Sequence, residues 1–93
     1  MRHVTFTPIF LEEVMDVSRY IQVEFGEVYA KNFLHELEYM FDLISYFSEM
    51  GKVYKSNAKW RYFIFKQNAI IYKFNNKEIK FINFISRNKN NYS

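Results

Sequence analysis

The sequence predicts an α+β domain in which an N-terminal helical hairpin packs on an antiparallel sheet, in the element order β-α-α-β-β-β. Its second half contains three runs rich in β-branched and aromatic residues, at positions 60–65, 69–74 and 78–85, separated by short polar segments that contain Asn. Connections this short leave no room for a crossover helix, so consecutive runs are antiparallel neighbours. Upstream, two apolar stripes at helical spacing can cover one face of the sheet.

The first strand and first helix follow from local signals near the N-terminus. Residues 3–6 roughly alternate in polarity and can add a first strand to the sheet. Thr7 and Pro8 suit the N-cap and the first position of a helix, and Gly26 suits its end in a left-handed conformation. The apolar stripe of this helix comprises Leu11, Val14, Ser18, Ile21 and Phe25.

A second helix is predicted from about residue 27 to residue 47. So little chain separates it from the first helix that the two should form an antiparallel hairpin. Residues 52–59 form a polar connector, with a candidate short strand at positions 53–54. The apolar stripe of the second helix comprises Ala30, Phe33, Leu34, Leu37, Met40, Phe41 and Ile44.

The last strand carries large apolar side chains on both of its faces. If the helical hairpin covers one face, apolar groups bordered by lysines stay exposed on the other, which indicates a protein partner. Strict alternation divides the strand into Ile79, Phe81 and Ile85 on one face and Lys80, Ile82 and Phe84 on the other.

The composition indicates a single intracellular domain spanning residues 1–93. Hydrophobic residues make up 49% of the chain, which is far from the disordered regime, and cysteine is absent, which suits a reducing cytoplasm. The N-terminal residues lack the apolar region of a signal peptide, and no apolar run approaches the length of a membrane span. We therefore expect a cytoplasmic protein with no membrane partner.

Charge is divided unequally between the two halves of the chain. Residues 1–51 contain three basic and nine acidic residues, a net charge of −6, whereas residues 52–93 contain ten basic residues and one acid, a net charge of +9. This division predicts an anionic partner for the second half. The alternative is that acidic helices and a basic sheet complement each other within one domain.

The usual catalytic signatures are missing. His3 and His35 lie far apart with no metal-ligand neighbours at suitable spacing, and two glycines cannot form a glycine-rich phosphate loop. Only Glu78 follows Met50 among the acids, which argues against a paired-carboxylate hydrolase or a two-metal nuclease. We therefore expect neither a metal nor a cofactor.

What remains is a basic and aromatic C-terminal half. Such a surface can contact phosphates and stack bases, or it can be an ordinary sheet with aromatic residues in the core and solvated lysines at the edges. The residues concerned are Lys59, Arg61, Lys66, Lys73, Lys77, Lys80, Arg87 and Lys89, interleaved with Trp60, Tyr62, Tyr72 and Tyr92.

Over nearly its whole length the chain resembles the RelE/ParE superfamily, the small toxins of bacterial type II toxin–antitoxin systems. The turn at Glu49-Met-Gly51 resembles the one that precedes the family's sheet, although Ser48 stands where the family usually has proline. The element order is also that of the family. The other matching residues are Thr7-Pro8, Tyr20-Ile21, Phe25-Gly26, Ala30, Phe33, Leu37, Arg61, Ile70-Ile-Tyr72, Glu78-Ile79, Arg87 and Lys89.

The resemblance implies one of two activities. RelE-like members cleave mRNA on the ribosome without a metal, and ParE-like members poison DNA gyrase. The arginine that RelE-like members carry before the Leu-Val-Tyr strand falls on Ala69 here, and their two strand lysines fall approximately on Tyr62 and Ile64. Only Arg87 and Tyr92 could match the remaining pair. The resemblance therefore favours a ParE-like gyrase inhibitor.

Two alternatives to gyrase inhibition stay open. One is a metal-independent, ribosome-dependent endoribonuclease, with catalytic candidates Arg61, Lys66, Arg87 and Tyr92. The other is a non-toxic nucleic-acid-binding module or a degenerate member of the superfamily.

The resemblance also implies two binding surfaces. The partner expected for one of them is an antitoxin whose acidic, amphipathic tail folds on contact and covers the second face of the sheet. The expected target-binding residues are Arg61, Lys66, Lys73, Arg87 and Lys89. The expected antitoxin-binding residues are Tyr72, Lys73, Lys80, Ile82 and Phe84.

Overall fold

A computed structural model describes residues 2–86. The predicted α+β fold, with a helical hairpin ahead of the sheet, is confirmed. None of the described helices is long and apolar enough to cross a membrane. The elements are β1 (His3–Phe6), α1 (Pro8–Phe25), α2 (Glu27–Tyr46), a 3-10 turn (Ser48–Met50), β2 (Lys52–Tyr54), β3 (Asn57–Phe65), β4 (Asn68–Phe74) and β5 (Glu78–Ser86).

The five strands form one mixed sheet in the order β1-β5-β4-β3-β2. Strands β2 to β5 are an antiparallel meander, as predicted, and the candidate short strand is real. Strand β1 instead pairs with β5 in parallel, with His3 opposite Glu78 and Phe6 opposite Phe81. The expectation of a wholly antiparallel sheet is therefore wrong for this pair, because β1 joins the far end of the meander rather than its sequence neighbour.

Helix α1 begins and ends at the residues that the sequence indicates. Thr7 accepts a hydrogen bond from the Phe10 N–H at 3.1 Å, and Pro8 occupies the first turn, where no N–H is needed. Gly26 closes the helix at φ 104°, a conformation that favours glycine, and its N–H donates to the carbonyls of Ile21 and Gln22.

Helices α1 and α2 cover one face of the sheet. The predicted stripe of α1 is displaced at its edges: Leu11 and Phe25 are exposed, because the core-facing side of the helix is centred on Phe10, Val14 and Val17. The core cluster consists of Phe10, Val14, Val17, Phe33, Leu37, Ile44, Phe65, Ile70, Tyr72, Ile79, Phe81 and Phe84.

A β-bulge at Ile82 reverses the faces to which the side chains after it in β5 point. Ile71 of β4 lies opposite Asn83, but Tyr72 lies opposite Phe81, so Ile82 is an extra residue in β5. An extra residue reverses the alternation, because successive side chains in a strand point to opposite faces. Phe84 therefore faces the core and is 1% exposed. The predicted surface position of Phe84 is wrong for this reason.

Helix α1 satisfies the backbone groups of the bulge. The Glu13 carboxylate accepts a hydrogen bond from the Phe84 N–H at 2.7 Å. The Thr7 hydroxyl, besides capping α1, donates to the Ile82 carbonyl at 2.7 Å. Side chains of the N-cap and of the second turn of α1 thus also hold the position at which β5 changes faces.

We expect Glu13→Ala to lower the free energy of unfolding by about 1–2 kcal/mol, because the part-buried Phe84 N–H loses its acceptor. Urea denaturation measures the loss. The matched control is Glu12→Ala at the neighbouring exposed position, where the change should stay within about 0.5 kcal/mol. Equal losses in the two variants would show that Glu13 does not hold the bulge.

Candidate functional site

The face of the sheet turned away from the helices combines aromatic, aliphatic and basic side chains. We call it the open face and define it by Tyr54, Trp60, Tyr62, Ile64, Ile71, Lys73, Lys80 and Ile82. The strand register sets its layout, since Tyr62 lies opposite Ile71 and Lys73 lies opposite Lys80. The rings of Tyr54 and Trp60 are 5.9 Å apart, and those of Tyr54 and Tyr62 are 6.3 Å apart.

Lys73 and Lys80 form a like-charged pair at the end of the open face. They stand directly opposite each other in neighbouring antiparallel strands, and neither forms an ion pair within residues 2–86. Like charges in this position destabilise a sheet. Both side chains line a surface cavity of about 450 Å³ together with Lys59, Asn75 and Glu78. The arrangement suits a ligand that brings negative charge.

The apolar part of the open face is only partly covered. Ile64 is 56% exposed, and Trp60, Tyr62 and Ile82 are half-buried. Ile71 is buried although it lies outside the main core cluster. An apolar surface with lysines at its border can accept an amphipathic acidic segment, or phosphates together with bases.

Arg61 lies on the helix-facing side of β3, away from the lysine pair. Its guanidinium donates to the carbonyls of Gly51 at 2.8 Å and Glu49 at 3.1 Å, and it lies 5.6 Å from the ring centre of Phe74. These contacts attach β3 to the turn that precedes β2. The Glu49-Met-Gly51 turn therefore has a structural partner in Arg61, which the sequence did not predict.

Lys66 is also separate from the lysine pair. It occupies the β3–β4 turn, where Lys66 and Gln67 adopt φ values of 48° and 69°. Its ammonium forms an ion pair with the Glu36 carboxylate of α2 at 2.9 Å. The structure thus brings together Lys73 and Lys80 but not Arg61 or Lys66. The candidates Arg87, Lys89 and Tyr92 lie outside the described residues.

Tyr72 is buried, so its expected role as a surface contact is wrong. It lies opposite Phe81 on the helix-facing side of the sheet, and it is 0% exposed. Its hydroxyl donates to the Ser48 carbonyl at 2.7 Å and accepts from the Gly51 N–H at 3.0 Å. With Phe84 also buried, Lys73, Lys80 and Ile82 are the expected antitoxin contacts that lie on the open face.

The hydroxyl of Tyr72 explains the glycine at position 51. A Cβ atom there would collide with that hydroxyl and would lie 2.8 Å from the Tyr62 carbonyl oxygen. Burial raises the pKa of Tyr72 above its ordinary value of 10.0, against smaller opposing effects of the Gly51 hydrogen bond and the Arg61 charge. The hydroxyl therefore stays protonated and structural.

Within residues 2–86 no group of three His, Asp or Glu side chains is placed to hold a metal ion. We assign no metal or cofactor site to this part of the chain.

A known structure shares this architecture. No protein-family model and no curated protein sequence matches the chain. Among solved structures, a chain of the chromosomal ParDE TA system from P. aeruginosa superposes with a TM-score of 0.78 at 10% identity, covering 92% of this chain and 96% of that one. At this identity the likeness establishes the fold. The fold that the RelE/ParE resemblance implied is thereby confirmed.

Tyr72→Phe removes both hydrogen bonds of the buried hydroxyl. We expect a fall of about 1–3 kcal/mol in the free energy of unfolding, because the Gly51 N–H and the Ser48 carbonyl lose a partner. Urea denaturation at neutral pH measures the fall. Tyr62→Phe is the control, since it deletes a hydroxyl from the open face of the adjacent strand, and it should change stability by no more than about 0.5 kcal/mol.

The Tyr72→Phe difference also depends on pH. The unfolded chain releases the Tyr72 proton near pH 10.0, whereas the folded protein keeps it to higher pH. The parent therefore loses this contribution to stability as pH rises above about 10, and the variant has no such group to titrate. A difference between the two proteins that stays constant from about pH 8 to about pH 11 would contradict the raised pKa.

Proposed function

We propose that this protein is the toxin component of a type II toxin–antitoxin system and that it arrests bacterial growth. The observation that carries the proposal is the shared fold with a chain of the ParDE TA system over 92% of this chain. The motif resemblance and the net charge of +9 in residues 52–93 support it. Both expected targets would place the protein in the cytoplasm.

Within this proposal, DNA gyrase is the favoured target. The positions at which RelE-like members carry basic catalytic residues hold Tyr62, Ile64 and Ala69 here. In the structure Tyr62 lies opposite Ile71 and Ile64 lies opposite Ala69, so this part of the open face is apolar. An apolar surface does not supply charge to a cleaving phosphate, which supports a binding mode of action.

The ribonuclease alternative receives less support from the described candidates. Arg61 donates to two backbone carbonyls on the helix-facing side, and Lys66 pairs with Glu36 at the β3–β4 turn. A catalytic pair must converge on one phosphate, and these two do not. The further alternative, a non-toxic nucleic-acid-binding module, rests on the lysine pair beside the aromatic residues of the open face.

We further propose that an antitoxin covers the open face. Lys73 and Lys80 would meet its acidic residues, and its apolar side chains would lie against Ile82 and Ile64. Such a tail gains charge complementarity at one end of the face and apolar burial along the rest. Ordering a disordered tail costs roughly 2–5 kcal/mol, so the apolar contact must supply most of the affinity. The charges chiefly speed and orient docking.

Induction of the protein in bacteria without its antitoxin should stop growth and reduce plasmid supercoiling. Ile70→Asp, which places a carboxylate in the core, is the control for the burden of expression. Normal growth with confirmed soluble protein would reject the toxin proposal. Codon-specific cuts in mRNA, with plasmid supercoiling unchanged, would favour the ribonuclease alternative. Salt-dependent binding of free nucleic acid without toxicity would favour the non-toxic binding module.

Reversing the lysine pair with Lys73→Glu and Lys80→Glu should slow association with the proposed antitoxin. We expect about a tenfold or greater fall in the association rate at low salt, and a flatter salt dependence, because the attraction becomes repulsion. Stopped-flow fluorescence measures both.

The matched control for this charge reversal is Lys31→Glu with Lys55→Glu, which changes the net charge equally at exposed positions outside the open face. If the lysine-pair variant associates as fast as this control, the open face is not the docking surface.

A further inference from the structure

A second candidate recognition surface lies on the helix side of the sheet, between β1 and α2. A groove of about 650 Å³ runs there, within the size range of ligand sites. Val4 and Phe6 of β1 and Leu34 and Phe41 of α2 form its apolar floor, in which the Phe6 and Phe41 rings meet edge to face at 5.0 Å. The groove faces the helix side of the sheet, so it is separate from the open face.

The groove is bordered by the outer edge of β1, along which no strand pairs within residues 2–86. The His3 N–H donates to the Lys77 carbonyl, and the Thr7 N–H donates to the Phe81 carbonyl. The odd-numbered residues from His3 to Thr7 therefore point their backbone groups towards β5. By alternation, the N–H and C=O groups of Val4 and Phe6 point away from β5. β1 ends the strand order, so no other described strand pairs with this side. An extended segment can add here through backbone hydrogen bonds.

The rim of the groove carries two carboxylates beside the exposed imidazole of His35. Glu38 and Asp42 lie one turn apart on α2, both exposed, and neither side chain forms an ion pair within residues 2–86. An incoming side chain that follows the apolar floor and ends in a positive charge would reach these carboxylates. Arginine and lysine have this shape, because their long stems are apolar and their heads are charged.

We infer that this groove binds an extended, basic segment of a partner protein as an added strand beside β1. Its groove-facing positions, two residues apart, would hold branched aliphatic side chains and an arginine or lysine that meets Glu38 and Asp42. The charge of the rim decides against two other occupants. An acidic tail would be repelled, and a second copy of this chain would bring the same carboxylates to the contact. The inference does not depend on the proposed toxin function.

Two synthetic peptides, acetylated and amidated, test the inference by titration into the 15N-labelled protein. One has the sequence Thr-Ile-Thr-Arg-Thr-Ile-Thr, which points isoleucine and arginine to one side of a strand, and the other has Glu in place of Arg. We expect the arginine peptide to shift the amide signals of Val4 and Phe6 and to slow their hydrogen exchange. The glutamate peptide should bind more weakly by at least fivefold at low salt.

The double variant Glu38→Gln, Asp42→Asn removes the rim charge at exposed positions without changing size. It should weaken binding of the arginine peptide about three- to fivefold at low salt, the effect expected for exposed ion pairs. It should leave unchanged the affinity of a third peptide with Ile in place of Arg. The matched control, Glu12→Gln with Glu24→Gln on α1, carries the same charge change and should leave every affinity unaltered.

Three results would overturn the inference. The first is equal binding of the arginine and glutamate peptides. The second is a titration in which the amide shifts centre on Lys73 and Lys80, or in which no shifts appear at millimolar peptide. The third is self-association without peptide that Val4→Pro abolishes, since a second copy would then occupy the edge. Val4→Pro removes an outward N–H and replaces the Val4 side chain of the groove floor with a proline ring, which an edge strand tolerates, so it also serves to block peptide addition. Its spectrum and circular dichroism verify the fold.

Discussion

The β-bulge at Ile82 is the constraint on which the two faces of the sheet depend. Without the extra residue, Asn83 would follow Phe81 on the helix side and Phe84 would point to solvent. With it, Phe84 packs against Phe10 of α1 at a ring separation of 5.8 Å. The Glu13 carboxylate, which accepts from the Phe84 N–H, belongs to the same helix. Helix packing and strand register therefore support each other at this point.

Apolar burial and positive charge lie on opposite faces of the sheet. Aromatic side chains fill the helix side, while Lys73 and Lys80 remain side by side on the open face. The acidic helices do not neutralise them: Glu36 of α2 pairs with Lys66 at a hairpin tip, and the lysine pair has no ion-pair partner within residues 2–86. Internal complementarity between helices and sheet thus accounts for Lys66 but leaves the lysine pair available to a ligand.

Much of the fold could be predicted from local signals, because helix caps, turn residues and the spacing of apolar residues determine whether a segment forms a helix or a strand. Thr7, Pro8 and Gly26 stand where helix α1 begins and ends. The position of Phe84 could not be predicted, since a bulge inserts one residue without a sequence signal as strong as a cap. The parallel pairing of β1 joins residues far apart in the sequence, such as His3 and Glu78, so no local signal predicts it.

The candidate site was less predictable than the fold because residue type does not determine which face a side chain occupies. Lys73 and Lys80 lie opposite each other on the same face of the sheet, as the alternation of side chains along β4 and β5 predicts. Arg61 looks equally basic in the sequence, but its place on the helix side commits its guanidinium to the Glu49 and Gly51 carbonyls. In the sequence, Tyr72 resembles a surface aromatic residue. In the structure its hydroxyl lies against Gly51, which explains both the buried tyrosine and the glycine.

The two charged surfaces share one strand pair, which links them mechanically. Strand β1 lies beside β5 with Thr5 opposite Lys80, so the edge that borders the acidic groove also supports one lysine of the open face. As a four-residue edge strand, β1 is hydrogen-bonded on one side only among the described strands, and such strands fray first. A segment bound in the groove would give β1 bonds on both sides and would limit that fraying. We therefore expect occupation of the groove to hold Lys80 more rigidly beside Lys73, without any contact between the two ligands.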